Sequence, residues 1–255
     1  MLLGLSGVGL ALLWLQRVPV AEHYVERALA ERGVRATYTV SQIALRTQRI
    51  ENLVLGDPAR PDLVARSVEV DIGYGLRAPR VVAVRARGVR VHGQADSTGL
   101  HFGELDKFRE PTSKAPFSLP DIDLTLDDAR ARIETPLGPL GLSISGEGGL
   151  HAGFVGKIAA MMRNVRANGC ASPRVTAYLG LQTRDGGAPH VSGPVRADAL
   201  DCGGGALRVA GLALRPDVLL SPALDSWRGT LAGEARAVRA EGATASAPRL
   251  RVDFE

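Results

Sequence analysis

Aromatic residues make up only 4% of this 255-residue chain. Lysine is scarcer still: Lys107, Lys114 and Lys157 are the only three, so 28 of the 31 basic residues (31 − 3) are arginine. With abundant Ala and Gly, that skew is what a GC-rich genome produces, and the arginine count by itself carries no function. The net charge of +4 is mild, no basic run reaches five residues, and aromatics are not interleaved with the arginines. A base-stacking or phosphate-tracking surface needs those features, so no nucleic-acid partner is expected. The hydrophobic fraction of 45% rules against general disorder.

Catalytic patterns are missing too. His23, His92, His101, His151 and His190 are scattered, with no ligand spacing and no accompanying carboxylate cluster. Gly203-Gly204-Gly205 lacks the Lys-Ser/Thr of a phosphate loop and reads as a turn. The run from Gly141 to Gly146 does not fit G-x-S-x-G. Asp121, Asp123, Asp127 and Asp128 lack the loop glycine and closing Glu of a calcium loop, and read as a solvated strand face. No enzyme activity, metal or cofactor is therefore expected. There are only two cysteines, Cys170 and Cys202. In an oxidising compartment they could form one disulfide; the alternative is two unrelated small buried residues.

What the chain does have is an apolar opening and serial alternation behind it. Residues 1–15 carry no charge, and extension through Val20, with Arg17 snorkelling, brings a helix to about 30 Å. No basic residue precedes this run and no small-x-small site follows, so a retained signal-anchor is favoured over a cleaved signal peptide. A start placed too far downstream would explain both the short span and the missing charges. Residues 19–33 suit a short amphipathic helix, with Pro19 in its first turn and Gly33 past its end.

From residue 34 the period becomes two. Val34, Ala36, Tyr38 and Val40 share one face, as do Val68, Val70, Ile72 and Tyr74. Val82, Val84 and Ala86 share a face that Val89 and Val91 can rejoin if Gly88 forms a bulge. Ile122, Leu124 and Leu126 precede Asp127-Asp128, and Ala129, Ala131 and Ile133 follow it. The aspartates are either a two-residue hairpin turn, which would set Asp123 opposite Arg132, or a bulge in one long strand. Leu140, Leu142 and Ile144 form a further strand. Residues 101–109 suit a short helix, and residues 150–167 either a helix or a strand followed by one. The irregular stretch at 96–118 is the best internal boundary. The strand series runs into Glu255 uncapped, as though it continued in a longer protein. Pattern alone leaves the apolar face as either the inner layer of a sandwich or an open groove.

The segment 30–34, then 49–58, Phe102-Gly103-Glu104-Leu105-Asp106-Lys107, Leu119-Pro120-Asp121-Ile122-Asp123-Leu124 and Thr135-Pro136-Leu137-Gly138-Pro139 together resemble YdbH-type members of the AsmA-like superfamily. That resemblance covers most of residues 20–150. It implies a mainly β protein: a transmembrane helix over residues 1–18, an amphipathic helix over 19–33, and an elongated, twisted antiparallel β-sheet over 34–255 forming a groove. It also implies anchoring in the inner membrane of a Gram-negative bacterium, with the β body in the periplasm. Phospholipids would pass passively along the groove toward the outer membrane, with acyl chains as the ligand and outer-membrane or periplasmic proteins as further partners. Val70, Ile72, Val82, Val84, Val89, Val91, Ile122, Leu124, Leu126, Ile133, Leu142 and Ile144 would line it. The alternative is an envelope scaffold with a closed β core and no lipid path.

Overall fold

The computed structural model describes residues 33–44, 47–73, 80–108 and 119–255. The expected helices at 1–18 and 19–33 lie outside the described residues, apart from Gly33. Among the described residues, no helix is long and apolar enough to cross a membrane.

Among the described residues, seventeen strands form one sheet. In chain order they are β1 (Ala36–Ile43), β2 (Thr47–Asp57), β3 (Arg60–Gly73), β4 (Arg80–Arg87), β5 (Arg90–Asp96), β6 (Gly99–His101), β7 (Asp123–Glu134), β8 (Leu140–Gly149) and β9 (Val155–Ala167). Then come β10 (Cys170–Arg184), β11 (Ala188–Ser192), β12 (Val195–Cys202), β13 (Leu207–Leu220), β14 (Trp227–Glu234), β15 (Ala237–Ala240), β16 (Ala243–Ser246) and β17 (Arg249–Phe254). A 3-10 segment, Gly103–Phe108, follows β6, and a shorter one, Gly203–Gly205, sits in the turn after β12.

Consecutive strands pair antiparallel for most of the sheet, since short turns can join only antiparallel neighbours. The exception corrects the expectation of a purely antiparallel sheet. β7 runs parallel to both β4 and β5. The hairpin of β5 and β6 and the 3-10 segment lie between, supplying the longer crossover that a parallel neighbour requires. Several short strands are collinear pieces of one ladder position, as β4 with β5 and β11 with β12 are.

Two local expectations also change. Residues 150–167 contain no helix: Val155–Ala167 is a single strand. Both of its parities carry apolar residues (Ile158, Ala160 and Met162 against Ala159 and Met161), which hid the period. The helix expected over 101–109 is a 3-10 segment starting at Gly103, and His101 belongs to β6.

Asp127-Asp128 is not a hairpin turn. β7 continues through it, with a register shift between Leu126 and Ala129 and Asp128 in the left-handed region (φ 53°). Asp and Asn tolerate that region better than other side chains. Asn52 (φ 52°), Gly88 (φ 62°), Asn164 (φ 52°) and Gly211 (φ 62°) do the same within other ladder positions. Each kink shifts the parity by one. On β9, Met162 and Val165 are half-buried while Arg163 and Asn164 between them are exposed. Apolar residues thereby stay on one face along strands up to fifteen residues long.

Candidate functional site: the apolar face

Register partners in neighbouring strands share a face. Following them across the sheet gives a row of twelve positions: Ala36, Leu55, Leu63, Val91, Ala131, Leu142, Ala160, Ala177, Val195, Leu214, Gly233 and Leu250. None is polar. A second row lies toward the other end of the strands: Val40, Ile50, Val68, Ala86, Leu126, Gly146, Gly156, Leu181, Val191, Val218, Gly229 and Phe254. It too has no polar member. At about 4.8 Å per strand, the eleven steps span roughly 53 Å.

The opposite face has the reverse character. Its row Arg49, Glu69, Arg85, Thr125, Glu147, Val155, Gln182, His190, Leu219 and Arg228 is mostly polar. Arg85 bridges Glu69 and Asp71, each at 2.8 Å. Hydrogen bonds from Thr47 and then Arg85 hold the Asp71 carboxyl below its ordinary range.

The apolar face is only partly covered. Nine hydrophobic residues are buried among the described residues, and five of these are alanine. The largest of the nine is Phe154. All seventeen strands belong to the one sheet, so no second sheet closes over this face among the described residues. Leu250 is 50% exposed at its far edge.

Of the twelve residues expected to line this face, Val70, Val84 and Leu124 fall on one register line. Leu142 pairs within the first row described above, and Ile144 pairs with Ala129 beside it. Val91 and Leu126 are members of the two rows. Ile133 pairs with Leu140 and is buried. Val89 follows the Gly88 kink, and its carbonyl accepts the Arg130 amide. Ile122 lies just ahead of β7, its carbonyl accepting the Leu150 amide. Val82 differs: a register shift makes it the extra residue between Val81, which pairs with Ile72, and Ala83, which pairs with Asp71. Its side chain fills the space beside Gly73.

Several elements of the site carry no sequence signal that periodicity detects. Phe154 is buried, and its ring lies over Gly146 and Gly156, where any Cβ would collide with it. Thr183 Oγ1 accepts the Phe154 amide and donates to the Gly149 carbonyl, each at 2.9 Å, which fixes the turn that places the ring. Phe102 covers Gly93 in the same way. The paired glycines were the available clue: a strand glycine marks a close approach.

Behind Phe102, the 3-10 segment is tied down by Glu104. Its carboxylate accepts the Arg35 amide at 3.1 Å and the Lys107 ammonium at 2.7 Å. Lys107 also donates to the Gly33 carbonyl. The Glu104 amide donates to Asp62 at 2.9 Å. Cys170 and Cys202 are directly opposed on β10 and β12 and joined by a disulfide.

Among the described residues, no group of three or more His, Cys, Asp or Glu is placed to hold a metal ion. Of the aspartates near β7, Asp128 is paired with Arg90 at 2.6 Å and Arg130 at 3.0 Å, and Asp127 with Arg87 at 3.9 Å. An open hollow on the polar face, about 660 Å3, is lined by Arg90, Arg130 and Arg132. Each of those guanidiniums has a carboxylate partner, with Glu134 serving Arg132 at 2.8 Å.

A family model described as "YdbH-like: Intermembrane phospholipid transport protein YdbH" matches residues 5–255. No curated protein and no solved structure matches the chain.

Proposed function

The chain belongs to the YdbH-like family, and from that premise we propose that its apolar face is a groove along which phospholipids pass between two membranes. The carrying observation is the first apolar row, which crosses all twelve ladder positions without a polar member. An uninterrupted apolar strip lets acyl chains slide without meeting a polar barrier, while the headgroup stays in water at the rim. Each methylene moved onto such a surface gains roughly 0.8 kcal/mol. That gain is on offer at every step, because each position of the row holds Ala, Val, Leu or Gly. A track without a polar step needs no chemistry of its own and conducts passively.

The twelve lining residues named from the sequence, Val70 through Ile144, belong to this groove in the proposed reading, with Val82 supporting its floor at Gly73. Residues 1–18 are the proposed inner-membrane anchor, residues 19–33 the amphipathic linker, and residues 34–255 the periplasmic body. At roughly 53 Å of sheet, the body reaches only part of the way across a cell envelope.

The test is lipid occupancy. Protein purified in mild conditions is extracted and analysed by mass spectrometry, and phospholipid in stoichiometric amount is expected. Protein free of lipid, with proteins crosslinked to its polar face, supports the scaffold reading instead.

A further inference from the structure

The apolar face is not equally deep everywhere. Between β9, β10, β12 and β13 lies a hollow of about 220 Å3 whose lining includes Val165, Cys170, Val175, Ala197, Leu200 and Leu212. Three observations explain why it forms there. Asn164 and Gly211, both in the left-handed region, kink the strands on its two sides. The β10–β12 ladder stops at Ala171 opposite Asp201 and resumes only at Val175 opposite Ala197. Pro173, which has no amide hydrogen to give, sits within that interruption. The disulfide between Cys170 and Cys202 then closes the far end, holding the two strands together beyond the split.

We propose that this hollow is a discrete seat for one acyl chain, a place where a lipid in transit pauses. The proposal rests on the groove reading and adds a location to it. Its lining is apolar apart from Ser172 and Arg196, and the Ser172 hydroxyl is already bonded to the Arg174 carbonyl at 3.3 Å. Apolar cavities stay dry and take apolar ligands; one of about 150 Å3 accepts benzene, or about 25 Å3 per carbon. By that measure the hollow holds roughly nine carbons, the terminal part of a fatty acyl chain. The rest of the chain would lie along the neighbouring positions Ala177 and Val195.

The experiment uses the full chain and a sixteen-carbon fatty acid with a terminal diazirine, photolysed and mapped by peptide mass spectrometry. Labelling concentrated on peptides containing Val165, Leu200 or Leu212 is expected. Ala197→Phe, which fills the hollow, should lower that labelling at least fivefold, whereas Thr176→Phe on the polar face should leave it unchanged. If Ala197→Phe does not fold, judged by circular dichroism, the smaller Ala197→Leu is read the same way and should give a partial loss. Labelling spread evenly along the sheet, or undiminished in the folded filled variant, overturns the seat. The same samples are assayed for copurified phospholipid. Phospholipid present without enriched labelling sinks the seat alone, and enriched labelling without phospholipid sinks the transport reading while leaving the seat.

Discussion

Glu104 ties the 3-10 segment to the start of the sheet through a side chain only 7% exposed. The hydrogen bond from Lys107, helped by the Arg35 amide and opposed by burial, holds its carboxyl below the ordinary range. A carboxylate whose folded pKa is depressed contributes stability above its unfolded pKa, and loses it as pH falls through the folded one. Glu104→Gln should therefore cost about 1–3 kcal/mol near neutrality, read from denaturant melts. The difference from the parent protein should shrink as the pH drops below the usual carboxylate range. A difference that is constant with pH contradicts this account of the contact. A second single-residue test sits at Asn164, which is exposed and left-handed. Asn164→Val should lose about 1–2 kcal/mol, while Asn164→Gly stays within a few tenths of the parent by thermal melting. Equal losses in both would show that the backbone conformation is not what asparagine supplies there.

At the scale of strands, the sequence was legible wherever one parity was apolar and the other charged. Ala129, Ala131 and Ile133 against Arg130, Arg132 and Glu134 is such a case. The parity change at Gly88 was legible as well, because Gly88 accepts φ 62°, although the register of the neighbouring strands runs on across it, so the device is a kink and not the expected bulge. Legibility failed on β9, where apolar residues occupy both faces and leave Met161 42% exposed. It also failed for the parallel pairing of β7 with β4 and β5, which is decided by a crossover and leaves no local trace. The Phe154 ring over Gly146 and Gly156 could not be found by periodicity because the contact spans a turn. The disulfide belongs to this scale, since it spans the end of a ladder that Pro173 interrupts. It closes a loop with a sequence separation of 32 residues. Its removal in Cys170→Ser/Cys202→Ser should cost about 3–4 kcal/mol by loop-closure entropy, measured by guanidinium unfolding. A loss below about 1 kcal/mol would mean that the ladder holds β10 to β12 without it.

Across the whole molecule, the two apolar rows are the property that no short stretch of sequence displays. Each strand that takes part contributes a single residue to a row, so the row exists only once the register is set. The kinks at Asn52, Gly88, Asp128, Asn164 and Gly211 keep strands of opposite parity in phase with it. A charge placed on the row should matter far more than one placed a residue away. Leu142→Asp should greatly reduce copurified phospholipid, and Ser143→Asp on the polar face should not. The most direct test installs a photo-crosslinking amino acid at Leu63, Leu142 and Leu214 along the row, and at Ser143 and Gln182 on the other face, in growing cells. Phospholipid adducts at all three row positions and at neither polar-face position are the predicted result. Adducts absent from the row, or equally frequent on both faces, would contradict a lipid path along this sheet.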